Sequence, residues 1–324
     1  MTLAWELPPL SLRISVTDRC GLRCAYCMPP QGVPLLDRDA VLTFKEIARF
    51  VRLAGRCSQI SQVRITGGEP LVRPELEVLI GMLRRAGVPE IALTTNGQQL
   101  AQKATALKQA GLDRVNISLD SLKPEVFVRI TRGGILHKTL EGIRAARQAG
   151  LAPIKLNTVV LRGLNDQEAP ELVRFSMEQG CELRFLELMP VGEAAADFGS
   201  WFVSSGETRA RLRQQFRLAP LPYDGHGTSR NWRVWDEDGR SAQIGFVSPH
   251  SEPFCSGCLR LRLTAAGMLI GCLARPQGIP IAGFLRDGDG ERQQELYVAL
   301  QTALGAKRRS GDFAQPLRMV QIGG

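Results

Sequence analysis

The amino-acid sequence predicts an α/β fold in which six strand–helix units form an open, partial barrel, followed by a C-terminal extension. The first observation is that short apolar segments alternate regularly with segments of helical period. The second is that polar residues gather at the C-terminal end of each predicted strand, where parallel α/β folds build their sites. The third is the number of units, because six are fewer than the eight that close a full barrel.

The predicted strands are evenly spaced in the first part of the chain and cover residues 12–17, 62–66, 90–95, 114–120, 153–160 and 182–189. The helices predicted between them cover residues 43–51, 74–86, 99–110, 137–149 and 167–179. Thr43 and Glu46 form a capping-box pattern at the start of the first helix. This regular alternation is typical of βαβ units and a parallel sheet.

The alternation ends at about residue 195. Beyond it we expect one helix, two short strands and a hairpin turn, over residues 204–216, 232–235, 242–247 and 265–268 respectively. We therefore predict that residues 1–220 form the partial barrel. Residues 221–324 form a smaller C-terminal portion, which we expect to cover the mouth of the barrel.

Composition predicts a soluble cytoplasmic protein of 324 residues. Hydrophobic residues make up 44%, enough for a full core, yet no apolar run approaches the length that spans a membrane. The first residues lack the basic-then-apolar pattern of a signal peptide. The net charge of +9 comes from scattered lysines and arginines, densest at 307–309, so we expect no nucleic-acid partner. A polyanionic small molecule explains scattered arginines equally well.

A first group of cysteines, Cys20, Cys24 and Cys27, falls on a predicted loop after the first strand. Three thiolates can converge on one metal centre and leave a coordination position free for a ligand that is not protein. The spacing Cys-x3-Cys-x2-Cys differs from the usual two-residue spacing of zinc ligands and from the cysteine run of bacterial ferredoxins. This difference favours another kind of iron–sulfur cluster. A zinc knuckle with a distant fourth ligand and ordinary free cysteines remain as alternatives.

A second group consists of Cys255, Cys258 and Cys272, with the spacing of half a zinc ribbon. Taken alone, this spacing favours structural zinc, with His250 as a candidate fourth ligand. The distribution of two triplets and two isolated cysteines argues against a disulfide framework. We expect the isolated Cys57 and Cys181 to lie in the core.

The first cysteine group, with Tyr26 before its last member, resembles the signature of the radical S-adenosylmethionine (SAM) superfamily. In that family three cysteines hold a 4Fe–4S cluster, SAM binds the remaining iron, and SAM cleavage yields a 5′-deoxyadenosyl radical. The flanking residues 13–19 and 28–29 indicate one family within this superfamily. Nearly the whole chain is similar to the GTP 3′,8-cyclases of molybdenum cofactor biosynthesis.

The resemblance implies a partial (β/α)6 TIM-like barrel of the radical SAM type, whose C-terminal extension carries a second 4Fe–4S cluster. Cys255, Cys258 and Cys272 would hold that cluster, in place of zinc. The implied reaction converts GTP to (8S)-3′,8-cyclo-7,8-dihydroguanosine 5′-triphosphate, a first step towards the molybdenum cofactor. The implied partners are GTP, a low-potential electron donor, the downstream cyclic pyranopterin monophosphate synthase and a second copy of the chain in a homodimer.

The resemblance also assigns site residues, and the residue types suit the chemistry. The SAM contacts would be Tyr26, Gly68, Ser118 and Met189. The GTP contacts would be Arg13, Arg64, Thr95, Lys155, Arg260, Leu261, Arg262, Gly323 and Gly324. Guanidinium groups match phosphate oxygens, and an inward arginine without a partner is costly unless an anion binds it. We expect deletion of the last two glycines to abolish cyclisation and leave both clusters intact, because their backbone would reach the substrate.

The chain departs from the family pattern at Leu259, where relatives usually carry Asn, and in the segments 231–232 and 306–313. These departures leave the cysteines and arginines unaffected. Two alternatives stay open. One is a different radical SAM enzyme with an auxiliary cluster, acting on a peptide or RNA. The other is a non-catalytic zinc- or iron-binding regulator.

Overall fold

A computed structural model describes residues 7–223, 225, 227–286, 292–307 and 319–322. The barrel strands are β1 Leu10–Ser15, β2 Ile60–Thr66, β3 Ile91–Thr95, β4 Arg114–Ser118, β5 Lys155–Val160 and β6 Glu182–Glu187. They pair in chain order and in parallel. The predicted fold class, an open α/β barrel of six units, is confirmed.

The helices that connect these strands are α1 Phe44–Cys57, α2 Leu76–Arg85, α3 Leu100–Gln109, α4 Pro124–Thr131, α5 Leu136–Gln148 and α6 Ala169–Gln179. The predicted capping box of α1 is present, with reciprocal hydrogen bonds between Thr43 and Glu46. Helix α4 was not predicted. It is short, and its sequence signal is Pro124 at the first helical position, where the missing N–H costs nothing.

The C-terminal part contains α7 Ala194–Trp201, α8 Ser205–Leu212, β7 Arg217–Pro220, β8 Arg230–Trp235, β9 Ser241–Val247, β10 Arg260–Leu263, β11 Met268–Cys272, β12 Arg275–Pro280, α9 Ala282–Arg286, α10 Gln293–Gly305 and α11 Met319–Ile322. The two strands predicted at 232–235 and 242–247 are confirmed as β8 and β9. Helix α8 is shorter than predicted, because the chain turns into β7 at Arg217.

One sheet of twelve strands runs through both parts, in the order β12-β11-β10-β1-β2-β3-β4-β5-β6-β9-β8-β7. Strand β10 joins β1 in parallel, and β9 joins β6 in parallel. The C-terminal residues therefore extend both edges of the barrel sheet. The division of the chain at residue 220 stays a prediction.

The apolar core lies between the sheet and the helices. In β1, Leu10, Leu12 and Ile14 face this core and are fully buried, while Arg13 faces the inside of the barrel. The isolated Cys57 and Cys181 are buried, as predicted. Among the described residues, no helix combines the length and apolar character needed to cross a bilayer.

Candidate active site

The first cysteine loop leaves the C-terminal end of β1 and leans against α4. The N–H groups of Arg23 and Ala25 donate to the carbonyls of Thr131 and Ile130, at 3.0 and 2.8 Å. A turn closes within the loop, since the Cys27 N–H donates to the Cys24 carbonyl at 2.8 Å. The unpredicted helix α4 thus supports the three cysteines.

The glycines that follow β2 allow a second loop to pack directly on the first. The Gly68 N–H donates to the Thr17 carbonyl at 2.7 Å, and the Glu69 N–H donates to the Arg19 carbonyl at 2.8 Å. A Cβ at position 68 would lie 2.5 Å from the Arg19 carbonyl oxygen. Only glycine therefore permits this approach.

Glu69 holds the second loop in place. Its buried carboxylate accepts hydrogen bonds from the Leu71 N–H at 3.0 Å, the Thr95 hydroxyl at 2.7 Å and the Asn96 N–H at 2.7 Å. Burial raises the pKa of Glu69, although these three hydrogen bonds oppose the shift. All the contacts described for this carboxylate are thus with neighbouring loops, which is an orienting role.

A cavity of about 210 Å³ opens where the strand ends meet. Its walls include the three cysteines of the first group and all four predicted SAM contacts, Tyr26, Gly68, Ser118 and Met189. Thr95, predicted to bind GTP, lies on this same cavity. The structure therefore brings together predicted site residues that are up to 169 positions apart in the sequence, from Cys20 to Met189.

Asp120 is a residue of this cavity that the sequence did not single out. Its buried carboxylate accepts hydrogen bonds from the Tyr26 hydroxyl at 2.8 Å and the Val159 N–H at 2.9 Å. Burial raises the pKa of Asp120 to about 6, against these two hydrogen bonds. The signal available in the sequence was its position just after β4, at the site-forming end of a strand.

A second cavity of about 170 Å³ contains the other cysteine group. Cys255 and Cys258 lie around a short turn before β10, and Cys272 ends β11. The two cavities share four lining residues, namely Asn157, Leu186, Met189 and Met319. They therefore lie next to each other, and together they are called the hollow, with one cysteine triplet in each part.

Arginines form a row across the floor of the second cavity. The strand register places Arg64, Arg13 and Arg262 side by side on β2, β1 and β10. Burial lowers the pKa of Arg64 to about 9 and of Arg262 to about 10, and neighbouring arginines add to both shifts. The Nε atoms of Arg13 and Arg64 are buried without a hydrogen-bond partner.

The remaining predicted GTP contacts differ in their placement. Arg260 lines the second cavity, whereas Leu261 is fully buried in the apolar core. Lys155 forms an ion pair with Glu182 at 2.8 Å. Arg184 lines the cavity and was missed, although its inward position on β6 could be read from the alternation of that strand.

The C-terminal tail also reaches the hollow. Gly323 and Gly324, predicted to contact GTP, lie outside the described residues. Just before them, Met319 lines both cavities, and Ile322 is buried against Val191 and Ile270. The tail is thus anchored at the boundary between the two cavities.

The cysteines differ in their electrostatic surroundings. Burial raises the pKa of Cys24, and the neighbouring Cys27 adds to this. Burial also acts on Cys258, but the charges of Arg260 and Lys307 outweigh it and lower the pKa of its thiol to about 7. Cys258 therefore favours its thiolate form through fixed cations, whereas burial raises the pKa of Cys255.

The thiols fit iron–sulfur clusters, whose irons are usually ligated by cysteine thiolates. All eight cysteines are free of disulfide bonds, and each triplet stands around a cavity. Within the described part of the chain, no three His, Cys, Asp or Glu side chains are grouped to hold a single metal ion. His250, the candidate zinc ligand, packs edge-on against Phe198 and Phe202 at centroid distances of 5.2 and 5.0 Å.

Comparisons with known proteins agree with this geometry. The sequence profile of the Radical SAM superfamily matches residues 14–176, and that of Molybdenum Cofactor Synthesis C matches residues 181–313. The crystal structure of Streptococcus suis SuiB bound to S-adenosylmethionine has a TM-score of 0.58 at 15% identity, over 86% of this chain and 64% of that chain. At this identity the likeness concerns the fold alone.

Curated relatives extend the match along the chain. A GTP 3′,8-cyclase from Moorella thermoacetica is 44% identical over 97% of both chains. One from Petrotoga mobilis is 42% identical, again over 97% of both chains. One from Streptomyces coelicolor is 41% identical over 97% of this chain and 93% of the relative. The chain therefore belongs to the GTP 3′,8-cyclase family of the radical SAM superfamily.

Proposed function

We propose that this protein converts GTP to (8S)-3′,8-cyclo-7,8-dihydroguanosine 5′-triphosphate, with SAM in the first cavity and GTP in the second. The observation that carries the proposal is the row of Arg64, Arg13 and Arg262 on adjacent strands. Like charges directly opposite each other destabilise a sheet. The Nε atoms of Arg13 and Arg64 are also buried without a hydrogen-bond partner, which is costly. A bound polyanion removes both costs.

The first cavity is suited to a cluster and SAM. Cys20, Cys24 and Cys27 would ligate three irons of a 4Fe–4S cluster and leave the fourth to SAM. Tyr26, Gly68, Ser118 and Met189 would contact SAM, and all of them line the cavity. The Gly68 backbone is held by the Thr17 carbonyl, so the position of this contact is set before SAM binds.

The second cavity is suited to GTP. Cys255, Cys258 and Cys272 would hold a second 4Fe–4S cluster that faces the guanine base. Arg13, Arg64, Arg260 and Arg262 would bind the triphosphate, because guanidinium groups pair with phosphate oxygens in a bidentate manner. We add Arg184, which lines the same cavity.

The other predicted GTP contacts stay part of the proposal. Thr95 would act from the wall of the first cavity, and Lys155 would exchange its ion pair with Glu182 for a phosphate contact. Leu261 would contribute its backbone, since its side chain is in the core. The backbone of Gly323 and Gly324 would reach the substrate from the tail.

Bound and reduced, the clusters and SAM would supply the radical chemistry that removes the ribose 3′ hydrogen atom and joins C3′ to C8 of guanine, and one further electron and proton would complete the 7,8-dihydro product. The chain orients the substrate through its arginines and encloses the reacting atoms. Met189 and Met319 lie where the two cavities join. Their apolar side chains would exclude water from the space between SAM and the ribose.

The test is anaerobic reconstitution followed by incubation with SAM, a reductant and GTP. The expected result is GTP-dependent release of 5′-deoxyadenosine together with the cyclised nucleotide. Parallel reactions with other nucleotides, RNA and peptides address the alternative that this is a different radical SAM enzyme. SAM cleavage that is indifferent to GTP, or a preparation that binds zinc in place of iron, would reject the proposal.

The proposal includes an electron donor, a downstream enzyme and a second copy of the chain as partners. A low-potential electron donor must reduce the first cluster. The product would pass to cyclic pyranopterin monophosphate synthase, and we retain a homodimer as the proposed assembly. The free thiols that line both cavities suit a reducing compartment, which supports a cytoplasmic location.

A further inference from the structure

Lys307 is the second residue after the end of α10, and its side chain reaches the second cysteine site. Its ammonium group donates to the carbonyls of Arg260 and Gly271, at 2.5 and 3.0 Å, and lies 3.6 Å from the Cys258 sulfur. An ammonium group has three N–H donors. Each of them therefore has a protein acceptor at this site.

The packing of α10 explains how Lys307 arrives there. Leu296, Ala299, Leu300 and Ala303 form the buried face of this helix. A Cβ at Gly271 would overlap the carbonyl of Ala303, so glycine lets the end of the helix rest directly on β11. The next residue of β11 is Cys272, and Lys307 therefore lies within the triplet's surroundings.

The surroundings of Lys307 differ from those of the arginine row. The Nε atoms of Arg13 and Arg64 have no hydrogen-bond partner, which leaves them available to an anion. The acceptors of Lys307 are two backbone carbonyls and a cysteine sulfur, all from the chain itself. Its charge is thus committed to the cysteine site rather than to the triphosphate.

We propose that Lys307 is a positioning residue of the second cluster, which clamps β10 to β11 and places a fixed positive charge beside the Cys258 sulfur. The inference rests on the proposed function, since it requires a cluster on Cys255, Cys258 and Cys272. Hydrogen bonds and positive charge at a ligand sulfur raise the reduction potential of a cluster. Contacts between the ligands and neighbouring residues also help the site to retain its metal.

The test compares Lys307→Met with full-length protein that keeps Lys307, after anaerobic reconstitution. Both are measured in a background in which Cys20, Cys24 and Cys27 are replaced by alanine, so that only the second cluster gives a signal. We expect the reduction potential of that cluster, from an EPR-monitored redox titration, to shift to a more negative value. We also expect iron loss to a chelator to be roughly tenfold faster.

Two controls separate this role from a general loss of stability. Lys307→Arg keeps a positive charge and N–H donors and is expected to recover most of the potential. Lys108→Met makes the same chemical change at an exposed position and should leave both measurements unaltered.

The possible failures are distinguishable. A second cluster with unaltered potential and iron loss in Lys307→Met would overturn the assignment of Lys307 alone. An equal shift in Lys307→Met and Lys307→Arg would also overturn it, because charge would then not be the cause. Absence of any second cluster from the unaltered protein would reject the proposed function as well.

Discussion

Arg13 lowers the stability of the free protein and is suited to bind an anionic ligand. It stands between Arg64 and Arg262 in the strand register. Burial lowers its pKa well below the usual value, and the charges of Arg262 and Arg64 lower it further. The folded protein thus maintains an unfavourable charge arrangement that a polyanion would relieve.

Replacement of this arginine is expected to change stability and binding in opposite directions. Arg13→Met removes a desolvated charge, so the free energy of unfolding without nucleotide should rise by about 1 kcal/mol. GTP affinity should fall roughly 10- to 100-fold, the value of a charged hydrogen bond. Urea titration and nucleotide-binding isotherms measure the two effects. Arg144→Met, at an exposed site, serves as the control, and a destabilised Arg13→Met protein with full GTP affinity would contradict the argument.

Gly68 is the second residue on which the site depends. Gly68→Ala places a Cβ against the carbonyl of Arg19 and should force the two loops of the first cavity apart. We expect a destabilisation of about 1–3 kcal/mol and loss of the first cluster with retention of the second. Iron analysis and EPR spectra report on each cluster.

The matched control is Gly21→Ala, since a Cβ at position 21 meets nothing within 4 Å. Both substitutions add one methyl group close to the first cysteine group. If Gly68→Ala kept both clusters, or if Gly21→Ala lost the first cluster equally, the close approach at Gly68 would not be what holds the loops together.

Among the secondary-structure elements, α8 has an N-terminal cap whose contribution to stability depends on pH. Glu207 and Ser204 form a capping box, and Arg162 pairs with the Glu207 carboxylate at 2.7 Å. The hydrogen bond from Arg162, and next that from the Ser204 N–H, lower the pKa of Glu207 to about 2 from 4.5. A lowered carboxyl pKa contributes stability above the unfolded value, and that contribution fades as pH falls from 4.5 towards 2.

Glu207→Gln should therefore lower the free energy of unfolding at pH 7 by about 0.5–1 kcal/mol, a modest effect because the pair is screened by solvent. The difference from the unaltered protein should shrink as the pH is lowered below 4.5. Denaturant titrations at several pH values measure it. A difference that stayed constant down to the lowest pH at which the protein is folded would contradict the charge argument.

At the scale of the whole molecule, the sheet depends on residues from both ends of the chain. β10 covers the edge of β1, and β9 covers the edge of β6. A fragment of residues 1–220 would expose both edges, and uncovered strand edges promote association. We expect this fragment to aggregate or to lack a cooperative unfolding transition, despite containing the complete radical SAM profile match at 14–176.

Circular dichroism and size-exclusion chromatography of the fragment provide the measurement. Co-expression with residues 221–324 is the matched comparison, because it restores β9 and β10 without a covalent link. A monomeric 1–220 fragment that unfolds cooperatively would show instead that the first part of the chain is stable alone.

Local pattern was enough to predict the six strands, one helix between each pair of successive strands and the two cysteine triplets. Strand alternation and helical period are properties of neighbouring residues, and cysteine spacing is explicit in the chain. The same reasoning missed α4, which is only eight residues long. It also missed Asp120 and Lys307, because burial and hydrogen-bond partners from distant segments give those residues their importance.

The order of the strand–helix units and the two sets of three thiols can be read directly from the chain. The pairing of β10 with β1, which aligns Arg262 with Arg13 and Arg64, could be seen only in the folded protein. Sheet edges pair through backbone hydrogen bonds, which any strand can offer. The partner that closes an edge is therefore chosen by packing across nearly the whole length of the chain.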